Sequence, residues 1–263
     1  MFLKRTLSAV ISIILLILVL VIDNNIIDSI VLVLLSIISI NEFKKAFLNI
    51  NIKVIAIFGY IASFCVFLID FKINMLYILP VIFISILCIT VLGYKKYNIT
   101  DISMTLLSVL YIPLLFIFLK YIAIIDNGRF FLLFVLAGSV INDTFAYIIG
   151  SRFGKNKLCE KLSKNKTIEG SIAGIIGVVI FYVILYFIGN VYYSLDMNII
   201  YVLLFSVVIA IIAQIGDLFA SSIKRFCNIK DFSNMIPGHG GILDRCDSII
   251  FIAPIVYLFV TLI

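Results

Sequence analysis

The sequence predicts an all-α polytopic integral membrane protein with about nine transmembrane helices, its N-terminus in the cytoplasm and its C-terminus outside. Hydrophobic residues make up 64% of the 263 residues and charged residues 13%, and the mean hydropathy is +1.27. These values are typical of a protein that crosses a membrane several times. The spacing of the apolar segments and the uneven distribution of Lys and Arg between them give the number of spans and the orientation.

Nine apolar segments approach the length of about 17 to 25 residues that a membrane span needs. The first follows Lys4 and Arg5 without a small-residue cleavage site, so we expect a retained span rather than a signal peptide. Pro113 lies inside the fifth segment and predicts a kink there. The predicted spans are residues 6–22, 26–40, 54–69, 73–92, 102–125, 130–149, 171–188, 198–220 and 248–263.

The basic residues determine the predicted orientation. With the N-terminus inside, 17 of the 20 Lys and Arg residues fall on the inner side, Lys72 and Arg129 fall outside, and Lys120 lies within the fifth span. Such an excess marks cytoplasmic loops. It also accounts for the net charge of +6 without a nucleic-acid partner.

The chain divides by function into two predicted regions. Residues 1–129 form an N-terminal region of about five spans, and residues 130–263 form a catalytic membrane region of about four spans. The second region contains two cytoplasmic loops, 150–170 and 221–247, and each follows a helix with an acidic residue near its inner end. We therefore expect the two loops to close one site.

The eighth span carries a polar stripe, because Gln214, Asp217, Ser221 and Lys224 fall on one face of a helix. By themselves, Asp217 and Lys224 are better explained as a structural ion pair, but the further acidic residues nearby in the sequence favour a functional role. Three positions apart at the start of the ninth span, Asp244 and Asp247 share a face, where acidic residues are also ordinary helix caps.

Converging carboxylates would repel one another in a medium of low dielectric constant, and a divalent cation relieves that repulsion. Ligation by oxygen atoms alone favours Mg²⁺ over Zn²⁺. Asp143 lies well inside the sixth span and should face a protein interior or a water-filled cavity, so it is a candidate fourth acid.

The two loops also contain groups that suit phosphates. Lys155 and Lys166 stand among small residues in the first loop, although cytoplasmic flanking charge explains them equally well. In the second loop, Gly240 and Gly241 allow close approach of the backbone to a ligand. His239, the one histidine of the chain, could donate a proton to a phosphate or only shape the turn.

This inventory favours metal-assisted phosphoryl or nucleotidyl transfer between a nucleotide and a lipid. The alternative from a different class is a membrane transporter that uses the intramembrane residues Asp143, Asp217 and Lys120 for ion or substrate coupling. A transporter predicts movement of substrate without nucleotide turnover. No inverted repeat, which many transporters carry, is visible in the sequence.

The stretch from Ser221 to Asp247 resembles the signature of the phosphatidate cytidylyltransferase (CDP-diglyceride synthase) family. Cys246, where an aliphatic residue or Thr is usual, and Lys164, where Pro is usual, depart from the family pattern. The matching residues are Ser221, Lys224-Arg225, Lys230-Asp231, Ser233, Ile236-Pro237, His239-Gly240-Gly241, Asp244-Arg245 and Asp247, and upstream Asp143-Thr144, Ala146-Tyr147, Gly150, Phe153-Gly154-Lys155, Lys166-Thr167 and Glu169-Gly170.

The resemblance implies an enzyme that converts CTP and phosphatidate to CDP-diacylglycerol and pyrophosphate in phospholipid biosynthesis. It further implies Mg²⁺ with a K⁺ companion ion, a homodimer in the bacterial plasma membrane, and an active site that faces the cytoplasm. The implied catalytic residues are Asp217, Lys224, Arg225, His239, Asp244 and Arg245; the implied substrate-binding residues are Ser221, Gly240, Gly241, Lys155 and Lys166; and the implied metal ligands are Asp217, Asp244, Asp247 and Asp143.

Overall fold

The computed structural model describes residues 22, 24–71, 78–236 and 240–262. Its regular structure is helical apart from one short hairpin, as the sequence predicts. The predicted first span, apart from its last residue, and residues 73–77 of the fourth lie outside the described residues, as does His239. The elements are α1 Asn25–Leu48, α2 Ala56–Phe64, α3 Val66–Asp70, α4 Ile78–Leu92, α5 Ile99–Tyr111, α6 Pro113–Ala123, α7 Gly128–Phe153, β1 Lys157–Cys159, β2 Ser163–Thr167, α8 Ile168–Tyr192, α9 Ile199–Phe226 and α10 Leu243–Leu262.

Within the described part of the chain, six helices are long and apolar enough to cross a membrane. These are α1, the consecutive pair α5 and α6, α7, α8, α9 and α10, whereas α4 and the pair α2 and α3 are apolar but shorter. The kink predicted at Pro113 is present, because α5 ends at Tyr111 and α6 starts at the proline. The helix predicted as 54–69 is interrupted at Cys65.

Local signals in the sequence fix several helix starts. The side chain of Asn24 accepts hydrogen bonds from the backbone N–H groups of Ile26 and Ile27 and so begins α1. Asn98 and Asp101 form a reciprocal capping box at the start of α5. Thr167 caps α8 by accepting from the N–H of Gly170.

The chain forms two compact units. The first contains residues up to Tyr121 together with Lys224–Arg245, and the second contains Ile122–Ile223 together with Cys246–Ile263. The division at residue 129 that the sequence suggests is a division by function and stays a prediction.

The first unit is built on α1, which packs against α2 and α3, while α5 packs against α2 and α4. Its buried centre contains Ile40, Phe43 and Phe47, and the rings of the two phenylalanines lie 4.6 Å apart. Lys120 is also fully buried, and its Nζ lies 2.7 Å from a carboxylate oxygen of Asp70. The same Nζ donates to the carbonyl oxygen of Asn25 at 2.6 Å. Lys120 therefore has a structural partner inside this unit.

The second unit is centred on Phe134, whose ring lies 4.8 Å from that of Tyr182 and 5.8 Å from that of Phe259. The Tyr182 hydroxyl donates to the carbonyl oxygen of Phe134, which satisfies the hydroxyl in an apolar core. Helices α7 and α8 pack along much of their length. The antiparallel hairpin of β1 and β2 connects the C-terminus of α7 to the N-terminus of α8.

Candidate functional site

A cavity of about 280 Å³ lies in the second unit. It is lined by residues of α7, the hairpin, α8 and α9, and it brings together three of the residues predicted from the sequence, Asp143, Lys166 and Asp217. The other lining residues are Asn142, Ala146, Tyr147, Leu158, Ser163, Asn165, Thr167, Gly170, Ser171 and Gln214.

The cavity has this shape because α7 and α8 cross closely beside it. A Cβ atom on Gly170 would lie 2.7 Å from the carbonyl oxygen of Ala146 and 3.1 Å from the Cα of Gly150. A Cβ on Gly150 would in turn lie 2.9 Å from the hydroxyl of Thr167. Only glycine fits such backbone contacts, so these residues of the motif hold the hairpin close to α7.

Glu169 fixes the other end of this crossing. Its carboxylate accepts hydrogen bonds from the backbone N–H groups of Lys155 and Asn156 at 3.1 and 3.2 Å and from the Asn156 side chain at 2.9 Å. Glu169 therefore holds the chain between α7 and the hairpin. The side chain of Lys155, a predicted phosphate ligand, is exposed and does not line the cavity.

Lys166 and Asp217 form an ion pair inside the cavity, between Nζ and Oδ2. Each side chain is 26% exposed, so the pair is only partly shielded from water. Asp143 lines the same space. The cavity therefore contains two carboxylates and a lysine whose ammonium group already neutralises one of them.

A hydrogen-bonded cluster of amides lies beneath these charges. Gln214 donates from Nε2 to the side-chain oxygen of Asn142 and to the carbonyl oxygen of Ser171, both at 3.0 Å, and accepts from the Ser171 hydroxyl. Since Asn142 precedes Asp143 and Gln214 lies one turn before Asp217, the cluster ties together the helices that carry the two acids. The sequence predicted Gln214 as part of the polar stripe but missed Asn142 and Ser171 as its partners.

Ser221 and Asp247 are also in the second unit, and both are buried. Asp247 accepts from the N–H of Ser248 at 2.8 Å. Close to Asp217, α9 and α10 approach one another tightly, because a Cβ on Gly216 would lie 2.8 Å from the carbonyl oxygen of Asp247.

The remaining predicted residues that the structure describes lie in the first unit, at the end of α9, in the turn before α10 and in the first turn of α10. Asp244 pairs with Lys224 through a distance of 2.7 Å between Oδ1 and Nζ, and its Oδ2 accepts from the N–H groups of Phe232 and Gly241, both at 2.9 Å. The pair is largely buried. Asp244 thus organises the turn as well as being a candidate metal ligand, and that second role stays a prediction.

Both glycines of the signature have roles within the chain. Gly240 has a φ of +85°, which disfavours any side chain, and a Cβ there would lie 2.9 Å from Oδ2 of Asp244. A Cβ on Gly241 would lie 2.5 Å from both carboxylate oxygens of Glu42.

Of the predicted arginines, Arg225 donates to the carbonyl oxygen of Ile229 at 3.3 Å, and Arg245 is exposed in the first turn of α10. Contact of any of these residues with a substrate stays a prediction.

Sequence analysis missed Glu42, a residue of α1 that contacts this turn. It lies on α1, is only 4% exposed, and accepts hydrogen bonds from the turn before α10. The position of Glu42 in the sequence indicated that it has a partner, because a carboxylate within or beside a long apolar segment is expected to pair with another polar group. The partner itself is about 200 residues away.

The chemistry of the cavity fits a magnesium ion. Mg²⁺ is usually held by one or two carboxylates together with substrate phosphates rather than by a complete protein cage. Asp143 and Asp217 supply such carboxylates, and Asp217 already binds a cationic group. Among the described residues, no group of three or more His, Cys, Asp and Glu side chains is placed to hold a metal ion, so the ligand set of four aspartates stays a prediction.

Comparison with known proteins assigns the chain to a family. The profile described as the Cytidylyltransferase family matches residues 3–263. A phosphatidate cytidylyltransferase of Staphylococcus haemolyticus is 36% identical over 170 residues, which cover 65% of this chain and 63% of the relative. A phosphatidate cytidylyltransferase of Staphylococcus epidermidis is 32% identical over 260 residues, 95% of this chain and 96% of the relative. One from Staphylococcus aureus is 34% identical over 171 residues, 65% of this chain and 63% of the relative. The family resemblance predicted from Ser221 to Asp247 is thereby confirmed, and the chain belongs to the cytidylyltransferase family.

Proposed function

We propose that this membrane protein transfers the cytidylyl group of CTP to phosphatidate and so produces CDP-diacylglycerol and pyrophosphate. Family membership and the names of the bacterial relatives support the reaction class and both substrates. The single observation that carries the proposal is the cavity of the second unit, where Asp143 and Asp217, on helices apolar enough to lie in a membrane, come together with Lys166 of β2. A lipid phosphate and a soluble nucleotide can both reach a site of that kind.

The reaction needs no strong general base. The nucleophile is an oxygen of the phosphate monoester of phosphatidate, whose second pKa is about 6 by analogy with phosphoserine, so it is largely ionised at neutral pH. This oxygen forms a bond to the α-phosphorus of CTP, while the bond from that phosphorus to the bridging oxygen breaks and pyrophosphate leaves with the electron pair. The barrier comes mainly from bringing an anion to a polyanion.

The residues of this chain lower that barrier by charge and position. In this proposal Lys166 would neutralise phosphate oxygens in the cavity, and Asp143 and Asp217 would hold Mg²⁺. When bound, Mg²⁺ supplies positive charge that neutralises the phosphates and orients them for in-line attack. Asp244 and Asp247 are proposed as further ligands. Lys224, Arg225 and Arg245 are proposed as clamps on phosphate oxygens, and His239 as a donor to the leaving pyrophosphate. Ser221, Gly240, Gly241 and Lys155 are proposed to contact substrate, and K⁺ to act as a companion ion.

The predicted membrane arrangement completes the proposal. Nine spans with the N-terminus inside and the C-terminus outside would put loops 150–170 and 221–247 in the cytoplasm, where CTP is available. The positive charge of these loops supports that orientation. We also propose location in the plasma membrane and a homodimer. Labelling of single cysteines placed at 161 and 239 should report both positions on the cytoplasmic side, and labelling on opposite sides would overturn the orientation.

The reaction is tested with purified protein, labelled CTP and phosphatidate in mixed micelles. CDP-diacylglycerol and pyrophosphate should form in equal amounts, only with Mg²⁺, and replacing K⁺ by a large organic cation should lower the rate. Asp217→Asn should abolish turnover while the thermal unfolding profile is retained. Wild-type protein that binds CTP but forms no CDP-diacylglycerol would overturn the proposed reaction, and full activity in Asp217→Asn would remove that residue from the site.

A further inference from the structure

Glu42 is a buried carboxylate of α1, and among the described residues its hydrogen-bond donors all come from the loop 221–247, the signature loop. Its Oε1 accepts from the hydroxyl of Ser233 at 2.6 Å and from the N–H of Ile242 at 3.0 Å. Its Oε2 accepts from the N–H of Leu243 at 2.8 Å. Glu42 is separated from these donors by 191, 200 and 201 positions in the sequence. Glu42, near the N-terminus, thus binds two separate parts of the loop, Ser233 and the pair Ile242 and Leu243.

The contacts give Glu42 the role of a helix cap supplied by another helix. The N–H groups of Ile242 and Leu243 stand at the beginning of α10, where the first turn of a helix leaves backbone donors unpaired. A negative charge at this position is stabilised by the helix dipole. The same turn contains Asp244, whose own carboxylate accepts from the N–H groups of Gly241 and Phe232. Two carboxylates therefore fix one turn through five different donors of the loop.

Gly241 shows how tightly the turn is held. A Cβ atom there would lie 2.5 Å from both oxygens of Glu42, closer than real Cβ contacts allow. On the other side, the N–H of Gly241 donates to Asp244. The glycine of the signature is therefore explained by a close approach of Glu42, which the composition of the loop alone does not show.

We propose that Glu42 is a positioning residue for nucleotidyl transfer: it fixes the turn from Gly240 to Asp244 and through that turn orients Asp244 and its partner Lys224. This inference rests on the proposed function. Glu42 itself is assigned no contact with substrate. It gives the N-terminal part of the chain, which otherwise shows only general membrane character, a specific role in the site.

The substitution Glu42→Gln isolates this role because it keeps the shape of the side chain. The amide retains one acceptor oxygen and turns an –NH₂ group toward the backbone N–H of either Ile242 or Leu243, so at least one contact becomes repulsive. Loss of a group that orients a ligand typically lowers activity by about 10- to 100-fold. We expect that loss mainly in kcat, since misplaced reacting groups slow the reaction even when substrate is bound.

Asp101→Asn is the matched control. Asp101 is also a buried carboxylate of the first unit that accepts two backbone hydrogen bonds, from Lys53 at 2.7 Å and Asn98 at 3.1 Å. It has no hydrogen bond to the signature loop among the contacts described. Both variants should lower thermal stability, but only Glu42→Gln should lower kcat per folded molecule.

Hydrogen exchange of the full-length protein in detergent provides a readout that does not depend on activity. In Glu42→Gln, peptides that contain Ile242 and Leu243 should exchange at least about 10-fold faster, which corresponds to the loss of about one hydrogen bond to a charged group. In Asp101→Asn those peptides should be unchanged. Wild-type kcat in Glu42→Gln, or equal losses of kcat in the two variants, would overturn the positioning role. Inactive wild-type protein would instead overturn the proposed reaction, and unchanged exchange would overturn the contact itself.

Discussion

Removing the charge of Lys166 should cost activity far more than stability. The perturbation is Lys166→Met, which keeps much of the side-chain volume and removes the ammonium group that pairs with Asp217. Among the described lining residues, the charged groups then change from two carboxylates and one cation to two carboxylates. Since the proposed substrates both carry phosphates, every anion that enters the cavity meets a more negative site.

The magnitude follows from the partly exposed position of the pair. Two unit charges 4 Å apart at an effective dielectric constant of 20 interact by about 4 kcal/mol, and a hydrogen bond to a charged group contributes about 1.5–3 kcal/mol net. The lower range converts to a loss of about 10- to 150-fold in kcat/KM for CTP. The pair is 26% exposed on both sides, so its contribution to the free energy of unfolding should be only about 0.2–1 kcal/mol. That amounts to a fall in Tm of at most about 4 °C.

The assay measures kcat/KM over a range of CTP and Mg²⁺ concentrations, together with thermal unfolding in the same detergent. Lys161→Met is the matched control, because Lys161 is an exposed lysine of the same hairpin that does not line the cavity. Its kcat/KM should stay within about threefold of the wild type, since a charge in water is screened over about 8 Å at physiological ionic strength. Equal losses in the two variants, or an unchanged kcat/KM in Lys166→Met, would refute the assignment of Lys166 to the phosphates.

Three further predictions concern the rest of the chain. Gly170→Ala places a methyl group 2.7 Å from a backbone oxygen of α7. The substitution should lower the free energy of unfolding by about 1–3 kcal/mol and reduce activity. An unchanged Tm would contradict the close crossing of α7 and α8. Lys120→Met should destabilise the protein by about 3–5 kcal/mol because it leaves Asp70 without its buried partner, and adding Asp70→Leu should restore part of that loss in denaturant titrations. Burial raises the pKa of the Cys227 thiol to about 11, so maleimide should react with it at pH 8 about 100-fold more slowly than with an unperturbed thiol. Because the raised pKa disfavours the thiolate in the folded protein, the contribution of Cys227 to stability is complete below pH 9 and is lost as the pH rises through 11; rapid labelling of folded protein by mass spectrometry at pH 8 would contradict the burial.

Local features of the sequence predicted much of the architecture. The long apolar segments of the sequence form the helices α1 and α7 to α10. They could be predicted because length and hydropathy are properties of each segment by itself. The break at Pro113 follows from the missing backbone N–H of that residue. The signature between Ser221 and Asp247 indicated the family, because its spacing is a property of one continuous stretch.

The sequence also predicted part of the site. It selected Asp143, Lys166 and Asp217 as separate candidates, and the structure places all three on one cavity. It predicted that Asp244 is a metal ligand, and that role stays a prediction; the structure adds that the same carboxylate binds Lys224 and the backbone N–H groups of Phe232 and Gly241. Hydrogen bonds of that kind depend on the shape of the turn and cannot be read from residue types alone.

Which residues meet across the chain was decided by the tertiary structure. The contact of Glu42 with Leu243 spans 201 positions, and the pairing of Lys120 with Asp70 joins helices that no periodicity relates. Gly170 and Gly241 both belong to the family pattern, yet one allows close approach of a neighbouring helix and the other close approach of a carboxylate. The physical reason is that hydropathy and helix caps depend on residues within one or two turns of the same segment. The partner of a buried charge depends instead on which distant segments pack against it. The sequence by itself therefore determined the helices and the family, and the fold determined which polar groups face one another.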